Sequence, residues 1–297
     1  MLRKFYLIIL VLLFFIIRLP SDFPLKAQED GLNLPTELYT LVNDGHVERY
    51  GLGAAGVSAV TPDNEVVIDF GVAPDGIWLA YRTENNLNFR NMLTGESREV
   101  EGASAGVPPF RGRGATLAWS PDGRVLAYTV DYGLRFYFDD APFFDLPTTP
   151  IQNLMWSPTG AYLAAEAENN IWWIYRRDSG QMILTSAIPS SIGFAWVGDG
   201  LLLFTPETGG LFLMDVSNGN AQSQLSDDKT LFRLPVYQRD GTVSVFARPT
   251  DDDTLSPTQG YLFKVIPSGD NISINQVSTL AVDFTGLRWS PGGNLLL

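Results

Sequence analysis

The chain has 297 residues, 45% hydrophobic and 12% aromatic, with 33 acidic against 20 basic residues and a net charge of −13 at pH 7. That composition supports a sizeable core and excludes a disordered chain. There is no cysteine and one histidine, which excludes disulfides, cysteine catalysis, a cysteine-linked lipid anchor and any metal centre built on thiolates or several histidines.

At the N-terminus, Arg3 and Lys4 precede thirteen apolar or aromatic residues, Phe5 to Ile17, and the polar stretch "RLPSDFPLKAQED" follows. This is the layout of an export signal, and the apolar run is shorter than the roughly 18 residues of a membrane span. Residues 1–27 are therefore read as a signal peptide or N-terminal anchor. Ala27 suits the position before a cut, while Leu25 is larger than the small residue expected two places earlier, so an uncleaved anchor stays open. The location that follows is extracytoplasmic: periplasmic, secreted, or anchored and facing outward. Membrane association is expected only through this segment.

Residues 1–27 hold four of the bases and one of the acids, so the remainder carries 16 bases, 32 acids and a net charge of −16. Such a surface repels phosphate backbones, and no basic patch with interleaved aromatics appears, so no nucleic acid is expected as a partner. Cationic partners or cations are electrostatically easier.

Beyond residue 30 no segment keeps a 3.6-residue apolar period over three turns, so a helical core is not expected. The segment "ELYTLVNDGHVERYGLG" (37 to 53) reads as two strands about an Asp-Gly turn, with His46 a surface residue just after it. A repeat then begins. It runs through "FGVAPDGIWLAY" (70 to 81), "LAWSPDGRVLAY" (117 to 128), "LMWSPTGAYLAA" (154 to 165), "FAWVGDGLLLF" (194 to 204), "LPVYQRDGTVSVF" (234 to 246) and "LRWSPGGNLLL" (287 to 297). The turn glycines Gly76, Gly123, Gly160, Gly200, Gly241 and Gly293 are separated by 47, 37, 40, 41 and 52 residues. A unit of about 40 to 45 residues is the length of one four-stranded propeller blade. Asp75, Asp122, Asp199 and Asp240, with Gly76, Gly123, Gly160, Gly200 and Gly241, are read as structural turn residues. They supply local hydrogen bonding and positive φ.

The "WSPDG" hairpin followed by "VLAYTV" resembles the TolB-type, WD-like propeller repeat of exported bacterial proteins, over roughly residues 65 to 297. The resemblance implies an all-β propeller of six four-stranded blades. Five are complete, and the sixth is either composite, built from the final repeat and the strands of 37 to 53, or truncated. The propeller domain is taken as residues 28–297, and the natural protein is expected to continue past Leu297. The pattern fades where Val197 and Gly198, then Gln238 and Arg239, replace the Ser-Pro pair.

Few constellations point to chemistry. "GASAG" (102 to 106) matches the nucleophile-elbow pattern with Ser104 as nucleophile, but "VPPF" forbids the helix that must follow, and His46 precedes the serine instead of following it. No catalytic residue is assigned. The sialidase Asp-box fails too, because glycine directly follows the aspartate in "SPDG". Acids recur in the turn after each second strand: Glu84, Asp131, Glu168, Glu207 and the run Asp251, Asp252, Asp253. Equivalent turns share one end of the blades, so these would form an acidic rim for a basic partner segment or, as the one cofactor considered, a calcium ion. Arg111 and Arg113 in "FRGRG" are candidates for an anionic group at the channel mouth. Adjacent Trp172 and Trp173 point to opposite faces of a strand, so at least one packs between blades.

The expected function is a non-catalytic extracytoplasmic scaffold binding a protein or cell-envelope component. Two alternatives stand beside it: the gating propeller of a prolyl-oligopeptidase-like serine hydrolase, and a glycan-binding or glycan-cleaving propeller.

Overall fold

The computed structural model describes residues 37–283 apart from 52–55, 103–115, 131–132, 139–140, 148–149, 169–170, 179–180, 189–190, 227–228, 239 and 269–270. The described residues fall into two compact units, one within 37–40 and 48–59, the other within 41–47 and 60–283.

Strands β1 (Leu38–Leu41), β2 (Val47–Tyr50) and β3 (Val57–Ala59), most of whose residues belong to the smaller unit, form one three-stranded sheet in that order. The two strands expected about Asp44-Gly45 are thus joined by a third. Strands β2 and β3 run antiparallel, with Glu48 opposite Ala59 and Tyr50 opposite Val57.

The larger unit is a succession of antiparallel sheets whose strands neighbour one another in chain order. The first sheet holds β4 (Val67–Val72), β5 (Trp78–Thr83), β6 (Asn86–Asn91) and β7 (Ser97–Gly102), and the second β8 (Leu117–Trp119), β9 (Val125–Val130), β10 (Gly133–Phe138) and β11 (Ala141–Pro147). The third comprises β12 (Ile151–Trp156), β13 (Tyr162–Ala167), β14 (Trp172–Asp178) and β15 (Gln181–Ile188). The fourth comprises β16 (Ser191–Gly198), β17 (Leu201–Pro206), β18 (Phe212–Asp215) and β19 (Ala221–Gln224). The fifth contains β20 (Thr230–Tyr237), β21 (Val243–Pro249), β22 (Gln259–Ser268) and β23 (Asn271–Gln276), and the short β24 (Val282–Asp283) also pairs with the ten-residue β22. The final repeat, with Gly293, lies outside the described residues, as do residues 1–27.

Alternation explains how both faces of a sheet are buried. On β13, Leu163 and Ala165 join the apolar cluster shared with the second sheet, while Ala164 between them joins the cluster shared with the fourth. The same division places Val125 and Ala127 on one side of β9 and Leu126 and Tyr128 on the other. All seven of these side chains are fully buried. A second strand that reads as a continuous apolar run therefore belongs to two cores at once.

The tryptophans of the repeat tie successive sheets together. Trp119 donates its indole N–H to the carbonyl oxygen of Gly71 at 3.0 Å, Trp156 to Ala118 at 2.9 Å and Trp196 to Met155 at 3.0 Å. Each acceptor lies on the first strand of the preceding sheet.

The turns that follow interlock as well. Gly76, Gly123, Gly160, Gly200 and Gly241 all adopt positive φ, between 70° and 83°. Asp122 accepts from Ser120 Oγ and from the backbone of Arg124 within its own turn, and it pairs with Arg177 of the third sheet at 2.8 Å. The third repeat has Thr159 where the second has Asp122. The carboxylate missing there comes from the next sheet, because Asp199 accepts from Ser157 Oγ at 3.0 Å and from Thr159 through both its backbone N–H and its hydroxyl. The lost aspartate is replaced across an inter-sheet boundary.

Candidate functional site

A meander of antiparallel strands puts the first turn of each sheet at one end and the second turn at the other. The Asp-Gly turns and the acidic turns consequently occupy opposite ends of the sheets.

At the acidic end, Glu84, Glu168, Glu207, Asp251 and Asp253 are exposed. Asp252 is half-buried and accepts from the backbone and hydroxyl of Thr254; those bonds, with Arg248 nearby, hold its carboxyl below the usual range. Basic groups stand among the acids. Burial and neighbouring Arg248 lower the pKa of Arg233, while Glu207 acts in the opposite direction. Among the described residues, no three aspartate, glutamate or histidine side chains converge in a way that would hold a metal ion. Asp131, Arg111, Arg113 and Ser104 lie outside the described residues. His46 is partly buried, with its Nδ1 2.7 Å from Asp44.

A polar cluster lies between the first two sheets. Asp69, opposite Arg82 in the β4–β5 ladder, accepts from the backbone N–H of Thr116 at 2.7 Å and from its hydroxyl. Burial raises its pKa, against the pull of those bonds and of Arg82. Arg82 is fully buried and donates to Thr129 Oγ1 at 3.0 Å. This cluster places hydrogen-bonded polar side chains, Asp69 with Thr116 and Arg82 with Thr129, in the seam between the two sheets.

The concave site sits at the Asp-Gly end of the same seam. It is a cavity of about 200 Å³. Phe89 and Tyr137 form its floor, 2% and 8% exposed, with ring centroids 5.0 Å apart in an edge-on arrangement. Trp78 and Trp119 form half-exposed walls, their rings 6.5 Å and 5.4 Å from that of Phe89. Arg98 reaches in from β7, where it pairs with Phe89 across the ladder. Its guanidinium carbon stands 5.8 Å from the ring of Trp78, 5.5 Å from Phe89 and 5.9 Å from Tyr137, and Nη2 donates to the Tyr137 hydroxyl at 3.1 Å. Three ring faces and one hydroxyl therefore set the place of this charge. Exposed Asp75 and Arg124 complete the rim.

Of the residues expected to bind from sequence, none lines this cavity. Asp75 and Gly123, expected as turn residues, do. Phe89, Arg98 and Tyr137 lie on strands outside the turn motif, and Trp78, although within the repeat "FGVAPDGIWLAY", carries no signal there that sets it apart from a packing residue. Trp172 and Trp173 point as expected to opposite faces: Trp172 is 3% exposed and stacks on Phe194 at 4.5 Å, while Trp173 packs against the cluster of the second and third sheets.

Neither a family model nor a curated protein matches the sequence. Solved structures do match in fold. The C-terminal WD40 domain of Sif2 is 16% identical, with 88% of this chain and 74% of that chain covered and a TM-score of 0.61. Dipeptidyl peptidase 4 of Porphyromonas gingivalis is 15% identical at a TM-score of 0.59, and the match spans 80% of this chain but only 42% of the peptidase chain. A chain of the mitotic checkpoint complex is 15% identical, with 85% of this chain and 80% of that chain covered and a TM-score of 0.56. At such identities the likeness is one of fold, and with the successive four-stranded sheets it shows that this chain folds as a β-propeller.

Proposed function

We propose that this chain is a non-catalytic, extracytoplasmic propeller scaffold of the TolB-like type that binds a protein or cell-envelope partner. The observation that carries the reading is the cavity between the first two sheets, where aromatic walls and three charged side chains meet at one accessible seam. Pockets with an apolar lining and a few oriented polar groups are where folded domains take up ligands. The basic n-region and apolar run at residues 3–17 support export, and the occurrence of a similar fold in the mitotic checkpoint complex supports a role in assembly.

The test is site-specific photo-cross-linking of the full chain in its native cell, with the cross-linker at Arg124 on the rim or at Leu184 on the outer strand β15. A discrete adduct from position 124 that is missing from 184 is the expected result. Identical patterns at both positions, or none at either, would overturn the reading.

A second reading, the gating propeller of a serine hydrolase, is favoured by the similarity to the peptidase, of whose length the match spans 42%. Sequencing the gene past codon 297 separates the two: a downstream serine, aspartate and histidine triad, with hydrolysis of a prolyl anilide by the whole product, would replace the scaffold reading.

A further inference from the structure

We infer that the seam cavity is a subsite for a single carboxylate-bearing pyranose, an acidic sugar of an envelope glycan. The inference rests on the scaffold reading and names the chemistry of its partner.

Size comes first. The cavity of about 200 Å³ is open with Arg98 already in place. Cavities of roughly 150 Å³ admit one benzene ring, and those taking larger ligands start near roughly 300 Å³. The space therefore fits one six-membered ring. Its walls suit the apolar C–H face of a sugar, since Trp78 and Trp119 are half-exposed beside the buried rings of Phe89 and Tyr137.

The polar groups select among rings of that size. Arg98 is positioned by its aromatic neighbours and by Tyr137. Arg124 makes no ion pair among the described residues. Arg98 and Arg124 thus stand at the opening beside one carboxylate, Asp75, so an anionic substituent meets two guanidinium groups there. Asp75 adds an acceptor at the same rim, its Oδ1 already bound to the backbone of Ile77 at 2.8 Å. A polyol with one carboxylate uses both kinds of group, because its hydroxyls donate to Asp75 while its carboxylate accepts from the arginines. An acidic peptide side chain brings only acceptors and is repelled by Asp75.

The experiment is calorimetric titration of the full chain with D-glucuronate, D-glucose and N-acetyl-glutamate amide, repeated for Arg124→Ala, Arg98→Ala and Trp78→Leu. Saturable binding of glucuronate is expected, with glucose bound at least about tenfold more weakly and each arginine variant losing at least about tenfold. Far-UV dichroism and the urea midpoint report whether each variant is folded; exposed Arg124 is the variant whose fold is least at risk. Equal affinity for glucose and glucuronate would overturn the inference, as would tighter binding of the glutamate derivative, or arginine variants that bind like wild type. Because the probes are free small molecules, failure to find a cross-linked partner sinks the scaffold reading without altering this result.

Discussion

The indole N–H of Trp156 donates to the carbonyl oxygen of Ala118 at 2.9 Å, across the boundary between the third sheet and the second. The same bond joins Trp119 to Gly71 and Trp196 to Met155, so the tryptophan of the repeat works between sheets and not within one. Replacing Trp156 by phenylalanine keeps most of the apolar surface but leaves Ala118 without this donor. The expected loss is about 1–3 kcal/mol of folding stability. A urea titration followed by far-UV dichroism measures it, and an unchanged midpoint would show that the bond contributes nothing.

Gly160 and Gly76 occupy equivalent turns, at φ of 79° and 70°. A Cβ at Gly76 meets nothing within 4 Å, whereas one at Gly160 comes 3.1 Å from Pro121 Cδ and 3.5 Å from Ser120 Cβ of the neighbouring turn. Alanine at either site incurs the left-handed penalty of roughly 1–2 kcal/mol. Only at Gly160 must the adjacent turn move as well. Gly160→Ala is therefore expected to lower the thermal midpoint further than Gly76→Ala, and equal shifts would contradict the close packing of these turns.

Asp240 pairs with Lys264 at 2.8 Å and accepts from Thr242, which holds its carboxyl down to about 2. A carboxylate with a folded pKa below its unfolded value stabilises the fold above the unfolded value and loses that contribution as pH falls toward the folded one. Asp240→Asn is thus expected to be less stable than wild type at pH 6, with the gap closing between about pH 4 and pH 2. Urea midpoints across that range provide the comparison; a gap that persists at pH 2 would mean the pair is not its source.

Glu166 behaves in the opposite sense. Burial on β13 raises its pKa above 4.5, against a single 3.4 Å hydrogen bond from Asn153. Its ionised form is therefore disfavoured in the folded chain, so stability is lost as pH rises through the folded pKa. Glu166→Gln is expected to raise the melting temperature at pH 7, with the gain shrinking as pH falls through the raised folded pKa and gone below about 4.5. Calorimetric melts at pH 7 and pH 4 decide it, and a variant destabilised at both would assign the carboxylate a positive structural role.

Much of the fold was legible because blade formation is local. The alternation in "RVLAYTV" and "AYLAAEA", the turn glycines and the spacing of about 40 residues each depend on neighbours within one hairpin, and the five sheets described in the larger unit follow that spacing. The cross-sheet work of the motif was not legible. That Asp199 would serve the turn holding Thr159, 40 residues away, depends on how two sheets pack.

The cavity shows the same limit more sharply. Between β6 and β7 the register slips: Leu87 faces Glu101, but Asn88 faces Glu99, leaving Val100 over and bringing Arg98 opposite Phe89. A slip of one residue changes which side chains face each other, and nothing in "SREVEG" announces it. Sequence alone determined an all-β chain of repeated hairpins with acidic turns, because those are properties of single strands and their turns. Only the tertiary structure decided that Arg98, Trp78, Phe89 and Tyr137 meet, because that meeting requires the bulge and the packing of two sheets whose contributing residues lie up to 59 positions apart.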